Sequence, residues 1–221
     1  MEQAPDRERT RLGVWTVLAL LIVAAGYAGR ADGKPAADTL YRYETAVAGA
    51  VLYLAFAAAV AFMARGPDTR EFLALRRPPS WPTAVALAVA TYAAIMAGVS
   101  ALLYALDGAG EQGLTPESWD STRAGQYAAN ALVVALIGPV VEELLYRGAG
   151  VSIFSRFGGA AAVIVTALPF ALGHGLVRAM PALLLFGVLI ALLRLRTRSI
   201  YPPILVHCAF NATALLVAVA V

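Results

Sequence analysis

Long runs of apolar residues divide this chain, and a lipid bilayer is the environment that such runs fit. A helix needs about 20 mostly apolar residues to cross the hydrocarbon core of a membrane, and several segments approach or exceed that length. Of the 221 residues, 60% are hydrophobic and only 14% are charged, which is a lower share of charge than soluble domains carry. The sequence therefore predicts an all-α, polytopic membrane protein that forms one domain over residues 1–221.

The apolar runs predict about seven transmembrane helices. The first begins at Leu12, and we expect an uncleaved anchor rather than a cleaved signal peptide because further spans follow it. The part of the chain that carries motifs covers about residues 127–221. The predicted spans are residues 12–28, 45–64, 83–106, 127–155, 160–175, 179–194 and 200–221.

The distribution of arginine predicts the orientation of these spans. Arginines concentrate before the first span and in the segments that follow the second, fourth and sixth spans. Cytoplasmic segments of membrane proteins carry an excess of lysine and arginine, so we expect an integral, multi-pass protein of the bilayer with a cytoplasmic amino terminus. The formal net charge of +3 does not indicate a nucleic-acid partner, since the cations lie in short segments between spans.

Two connections differ in character. Residues 65–82 place four arginines around Phe72, Leu73 and Leu75, which suits either an amphipathic helix on an anionic membrane surface or a solvated basic loop. The charged residues of the segment 107–126 are mostly acidic instead. Its Thr115-Pro116-Glu117 sequence resembles the start of a helix.

Five ionisable residues lie in apolar surroundings, where each charged side chain costs about 2.5 to 3.5 kcal/mol. Such residues mark functional sites in membrane proteins. The chain has only two histidines, and both occur in apolar segments rather than in the polar loops. The five residues are Glu142, Glu143, Arg147, His174 and His207.

Helix geometry separates the two glutamates. Glu143 lies four residues before Arg147, so the two side chains share a face and can form an ion pair. Glu142 is turned about 100° from Glu143 and is less readily neutralised by Arg147. Glu142 is therefore the candidate reactive carboxylate.

The same spacing places His207 and Asn211 on one helix face and His174 one turn after Phe170. Phe170 is expected to act in packing. Glu142, His174 and the pair of His207 and Asn211 could thus face one polar cavity inside the membrane.

Such a cavity could hydrolyse a peptide or amide bond. A carboxylate and an imidazole can remove a proton from water as it attacks a carbonyl, and a second imidazole and an amide can donate hydrogen bonds to the oxyanion. No cofactor is expected. A zinc ion is the less favoured alternative, because two histidines and a glutamate suit hydrolytic zinc but no HExxH spacing occurs.

Three ordered motifs resemble those of the CAAX prenyl protease-like family of intramembrane proteases, also called CPBP or Abi proteins. They are EExxxR at 142–147, FxxxH at 170–174 and HxxxN at 207–211. The resemblance implies an all-helical, glutamate-type membrane endopeptidase, from a family once classed as metalloproteases. The alanine-rich, compact chain looks prokaryotic, where a prenylated substrate is not expected.

The resemblance also implies roles for the matching residues. Glu142 would activate water together with His174, and His207 and Asn211 would stabilise the oxyanion. In the same resemblance Glu143 and Arg147 would support the site.

Other functions remain open at this point. The partner expected of a protease is a membrane-anchored or transmembrane peptide or protein. A non-catalytic membrane adaptor or immunity protein could bind such a peptide without cutting it, and a proton-coupled transporter could use Glu142 and the histidines as a relay. The sequence does not indicate an oligomeric state. Its single cysteine, Cys208, is expected to be inert packing.

The predicted spans raise one difficulty. Glu142 lies about a dozen residues from the end of its span near 155, whereas His207 lies only a few residues into a span that begins near 200. These depths differ by several ångströms at about 1.5 Å per residue. Kinks or re-entrant pieces are expected to bring the motifs together, and Gly138-Pro139 and Pro169 can form them.

Overall fold

The fold of the chain is a bundle of helices, seen in a computed structural model that describes residues 4–31, 33, 35–112, 116 and 118–220. No strand occurs in this part of the chain. The predicted helix start at Thr115 and Glu117 lies outside the described residues. The helices are α1 (Ala4–Ala28), α2 (Tyr43–Met63), α3 (Thr69–Phe72), α4 (Trp81–Ala105), α5 (Ser121–Phe157), α6 (Gly159–Leu172), α7 (Met180–Thr197) and α8 (Tyr201–Ala220).

Six of these helices, α1, α2, α4, α5, α7 and α8, are long and apolar enough to cross a membrane. The predicted all-α polytopic fold is confirmed. The predicted span at 160–175 corresponds to α6, which has 14 residues and a length of about 21 Å. That is shorter than the hydrocarbon core of about 30 Å, so the seventh segment does not reach span length.

Successive helices run between two opposite faces of the bundle, and polar contacts link the loops at each face. At the face where α1 begins, Arg11 donates hydrogen bonds of 2.6 and 2.8 Å to the Asp68 carboxylate, and these bonds lower the pKa of Asp68. At the opposite face, Arg30 donates to the carbonyl of Glu111, whose carboxylate accepts from the backbone N–H of Ala179. Each face is thus held together by loops far apart in sequence.

The connection between α2 and α4 packs into the bundle. Its only helix is the single turn α3, and Phe72, Leu73 and Ala74 are buried. The Arg11 guanidinium lies 4.0 Å from the centre of the Phe72 ring. The segment is therefore neither the surface helix nor the solvated loop that its composition suggested, because its apolar residues fill a gap between helix ends.

The first helix is part of the same core. Trp15 is 3% exposed, and its indole Nε1 donates a 3.0 Å hydrogen bond to the carbonyl of Leu145 in α5. A Cβ atom at Gly150 would lie 2.8 Å from that Trp15 nitrogen and 2.8 Å from the Thr166 methyl group. Gly150 is thus the residue that lets α1, α5 and α6 meet.

We expect Gly150→Ala to lower the free energy of unfolding by about 1–3 kcal/mol, because the added methyl overpacks a closed contact. Denaturant unfolding of the purified protein in detergent measures this change. Gly13→Ala is the matched control, since a Cβ there meets nothing within 4 Å and alanine favours a helix by up to about 1 kcal/mol. Equal stability of the two variants would contradict this packing.

Candidate active site

An ion pair with no exposed surface lies at the centre of the bundle. Glu143 and Arg147 are both 0% exposed, and Arg147 Nη1 donates to Glu143 Oε1 at 3.2 Å. The structure thus contains the pair expected from the spacing. Arg147 Nη2 donates to the carbonyl of Gly187 in α7 at 3.1 Å, and the guanidinium lies 4.4 Å from the Phe170 ring centre.

His207 extends this pair toward the second glutamate. Its Nδ1 lies 2.8 Å from Glu143 Oε1, and its Nε2 lies 3.9 Å from Glu142 Oε2. A carboxylate that accepts the Nδ1 proton fixes the tautomer and orientation of an imidazole. Glu143 therefore directs the Nε2 atom of His207 toward Glu142.

Glu142 faces away from Arg147 and meets a residue that sequence reasoning missed. Tyr53 in α2 donates a 2.7 Å hydrogen bond to Glu142 Oε1. A Cβ atom at Gly138 would lie 2.8 Å from the Tyr53 ring, so glycine at 138 makes room for this contact. The available signal was the position of Tyr53 in the middle of α2, whereas tyrosine in membrane helices concentrates near the interfaces.

His174 lies in the turn after α6. Its Nδ1 donates a 2.8 Å hydrogen bond to the carbonyl of Phe170, which leaves Nε2 as an acceptor when the ring is neutral. The turn packs against the end of α1, because a side chain at Gly26 would collide with the backbone of Gly173. Gly175 has a φ of +65°, a conformation that glycine adopts without strain.

Asn211 donates a hydrogen bond to a backbone carbonyl that Pro139 leaves without a helical partner. Residues Val133–Ile137 of α5 form a π-helical segment, in which each N–H donates five residues back. Gly138 donates to the carbonyl of Val133, and Pro139, which has no N–H, leaves the carbonyl of Val134 without the next bond in the series. Asn211 Nδ2 fills this place with a 2.8 Å hydrogen bond to the Val134 carbonyl.

We expect Asn211→Ala to destabilise the protein by about 1–3 kcal/mol, because it leaves a part-buried carbonyl unsatisfied. Pro139→Ala restores an N–H that can bond to Val134, so the double variant should lose less stability than the sum of the single variants. Unfolding of the four proteins in detergent measures this coupling. Strictly additive losses would argue against the compensating role of Asn211.

All four candidate catalytic residues line one cavity. It has a volume of about 360 Å³ and is lined by Glu142, His174, His207 and Asn211. These side chains come from α5, the turn after α6, and α8, so the structure brings the three motifs together. Tyr53 and Phe186 also line the cavity, and its other walls are mostly apolar.

The difference in depth that the spans suggested is resolved by a recessed turn. Ile200, just before α8, is fully buried, and its N–H donates a 3.1 Å hydrogen bond to the carbonyl of Ala74. The turn between α7 and α8 thus lies beneath the connection that contains α3, while α5 continues to the exposed Phe157. His207 consequently reaches the level of Glu142 although it lies only six residues after Tyr201.

Several of the candidate metal donors take part in hydrogen bonds. Among the described residues, no group of three or more histidine, cysteine, aspartate or glutamate side chains is arranged to hold one. Glu143 Oε1 already accepts hydrogen bonds from Arg147 and His207, which occupies the oxygen nearest His207. The nitrogen of His174 nearest Phe170 is likewise engaged by a backbone carbonyl.

Comparison with known protein families gives a match in the part of the chain that carries the motifs. Residues 124–213 match the family model described as "Type II CAAX prenyl endopeptidase Rce1-like". The matched residues contain all three motifs and most of the cavity wall, and they confirm the resemblance to CAAX protease-like proteins. Neither a curated protein nor a solved structure matches the chain.

Proposed function

We propose that this multi-pass membrane protein, whose residues 124–213 match the family model of Rce1-like type II CAAX prenyl endopeptidases, is a glutamate-type intramembrane endopeptidase. It hydrolyses a peptide bond in a membrane-anchored or membrane-embedded substrate. The observation that carries the proposal is that Glu142, His174, His207 and Asn211 line one cavity. A cavity of 300–1,000 Å³ is the usual size for a binding site.

Glu142 is the proposed base. Tyr53 holds its Oε1, which leaves Oε2 free to take a proton from water. The neutral Nε2 of His174 is an acceptor and can orient the same water in the cavity. Peptide hydrolysis in this scheme draws on the protein's own side chains and needs no metal.

The oxyanion is the proposed partner of His207 and Asn211. When His207 is protonated, Nδ1 donates to Glu143 and Nε2 can donate to an oxyanion, and the Glu143 carboxylate stabilises that cation. Asn211 uses one N–H for Val134 and has a second for the oxyanion. Arg147 donates a hydrogen bond to Glu143, so Glu143 and Arg147 support the chemistry by positioning His207.

We expect Glu142→Gln to reduce cleavage by about 100-fold or more, because glutamine cannot accept the proton. The measurement compares membrane proteomes of cells that carry the wild type or the variant, and scores protein termini that lie near membrane segments. Glu71→Gln is the matched control, because Glu71 is an exposed residue of α3 and lies outside the cavity.

The same comparison separates the alternatives. Protein termini that appear in wild-type cells and persist in the Glu142→Gln cells would contradict the proposal of an endopeptidase. A cellular phenotype that survives in that variant, with no termini in either strain, would instead support a non-catalytic adaptor or immunity protein.

We expect Tyr53→Phe to lower kcat by about tenfold or more while KM stays constant, because one hydrogen bond to a charged group is lost. Tyr92→Phe is the control, since Tyr92 also loses one side-chain hydrogen bond, of 2.7 Å to Thr213, and lies outside the cavity. Kinetics on a substrate from the terminus comparison provide the measurement. A rise in KM without a fall in kcat would make Tyr53 a substrate contact instead.

The substrate is proposed to approach from the face opposite the start of α1. Gln112, in a loop at that face, lines the cavity, and a shallow groove along α2 runs from Arg42 to Leu52. Leu52 lines both the groove and the cavity, so an extended peptide could lie along α2 and reach Glu142. The arginines favour a cytoplasmic amino terminus, so this face would lie outside a prokaryotic cell. Cytoplasmic prenylated substrates are absent there.

A further inference from the structure

Arg194 is a buried cation at the end of α7, far from the cavity. It is 6% exposed, and its Nε has no hydrogen-bond partner. No carboxylate among the described residues lies within ion-pair distance of it. This differs from Arg147 and Arg11, the other buried arginines, which both have carboxylate partners.

An arginine in this position cannot relieve its cost by losing its proton, because its guanidinium stays charged in proteins. A buried charge without a partner is strongly unfavourable. The carboxyl end of the α7 dipole attracts a cation but leaves the Nε donor unused. Thr197, one turn later, already donates its hydroxyl to the carbonyl of Leu193.

Other arginines near Arg194 make the binding of an anion more favourable. Arg76 reaches the same helix end, because its Nε donates a 2.7 Å hydrogen bond to the carbonyl of Arg198, four residues after Arg194. Among residues 65–77 and 194–198 there are seven arginines but only two acidic residues. One of these acids, Asp68, is already paired with Arg11.

We propose that Arg194 and Arg76 form a binding site for a phosphate-bearing anion, the headgroup of an anionic lipid or a free phosphate. The planar guanidinium offers paired donors that match two phosphate oxygens. Arg194 lies in the last turn of a membrane-spanning helix, which is the level of lipid headgroups. Basic pockets between transmembrane helices are known to bind such headgroups.

The test uses the full-length protein, delipidated in an uncharged detergent. Phosphatidylglycerol, phosphatidylcholine and inorganic phosphate are added separately, and thermal unfolding and native mass spectrometry record stabilisation and retained ligand. We expect one retained phosphatidylglycerol and a rise in Tm on the order of 5–10 °C at about 100 times Kd. The same response to inorganic phosphate would identify free phosphate as a ligand of the site.

Two substitutions show whether Arg194 carries this binding. Arg194→Met should lose the rise in Tm, whereas Arg196→Met, which removes an exposed arginine from the same helix end, should keep it. Equal loss in both variants would mean diffuse attraction to a basic surface and would overturn the site. An unchanged response in Arg194→Met would overturn it as well.

A second variant covers the case in which Arg194→Met fails to fold. Arg76→Met changes an exposed side chain and should weaken phosphatidylglycerol binding roughly fivefold, the effect of one cation near an anionic headgroup. An affinity equal to that of the wild type would exclude Arg76 from the site and refute the proposal. The absence of a response to any of the three probes in the wild type would refute it too.

Discussion

The buried ion pair of Glu143 and Arg147 is the contact on which the rest of the bundle depends. Both side chains are fully enclosed, and removing one partner of such a pair costs about 3–5 kcal/mol, because the other charge is left alone. Partners for the remaining donors and acceptors can come only from within the protein, and Glu143 Oε2 and Arg147 Nε have none among the described residues. His207 of α8 and the Gly187 carbonyl of α7 meet two of the others, and the Phe170 ring of α6 covers the guanidinium.

This arrangement links support to the proposed chemistry. Because Glu143 accepts from Arg147 and His207, it is held by two donors and has little freedom. Glu142, the next residue, is turned toward the cavity and contacts α2 through Tyr53. Two neighbouring carboxylates thus have different surroundings, which is how active sites give like groups different tasks.

Irregular backbone in α5 is the second constraint. The helix contains π-helical segments at Val133–Ile137 and Leu144–Gly150, and such segments are common at functional sites. Within a bilayer, a carbonyl released from the helix must find a donor inside the protein. Asn211 serves Val134 and Trp15 serves Leu145. The same backbone defects that shape the cavity therefore attach α8 and α1 to α5.

Sequence reasoning reached the local part of this site and missed its long-range part. The pair of Glu143 and Arg147 and the edge-on contact of His174 with Phe170 follow from residues four apart on a helix, and both contacts are present. Tyr53 was missed because its contact with Glu142 joins residues 89 positions apart, and no helical period encodes such a distance. The connection at 65–82 was misjudged for a similar reason, since its burial depends on the gap left by other helix ends.

The sequence by itself determined that this is an all-helical membrane protein, where its long helices lie, and which of two adjacent glutamates faces away from the arginine. These properties follow from apolar length and from helical geometry, both of which act over a few residues. Only the tertiary structure decided the depth at which the motifs meet, because depth depends on the recessed turn at Ile200 and on the connection above it. It also decided that Asn211 bonds to Val134, since a carbonyl freed by Pro139 is bonded by whichever donor the packing of α8 places beside it.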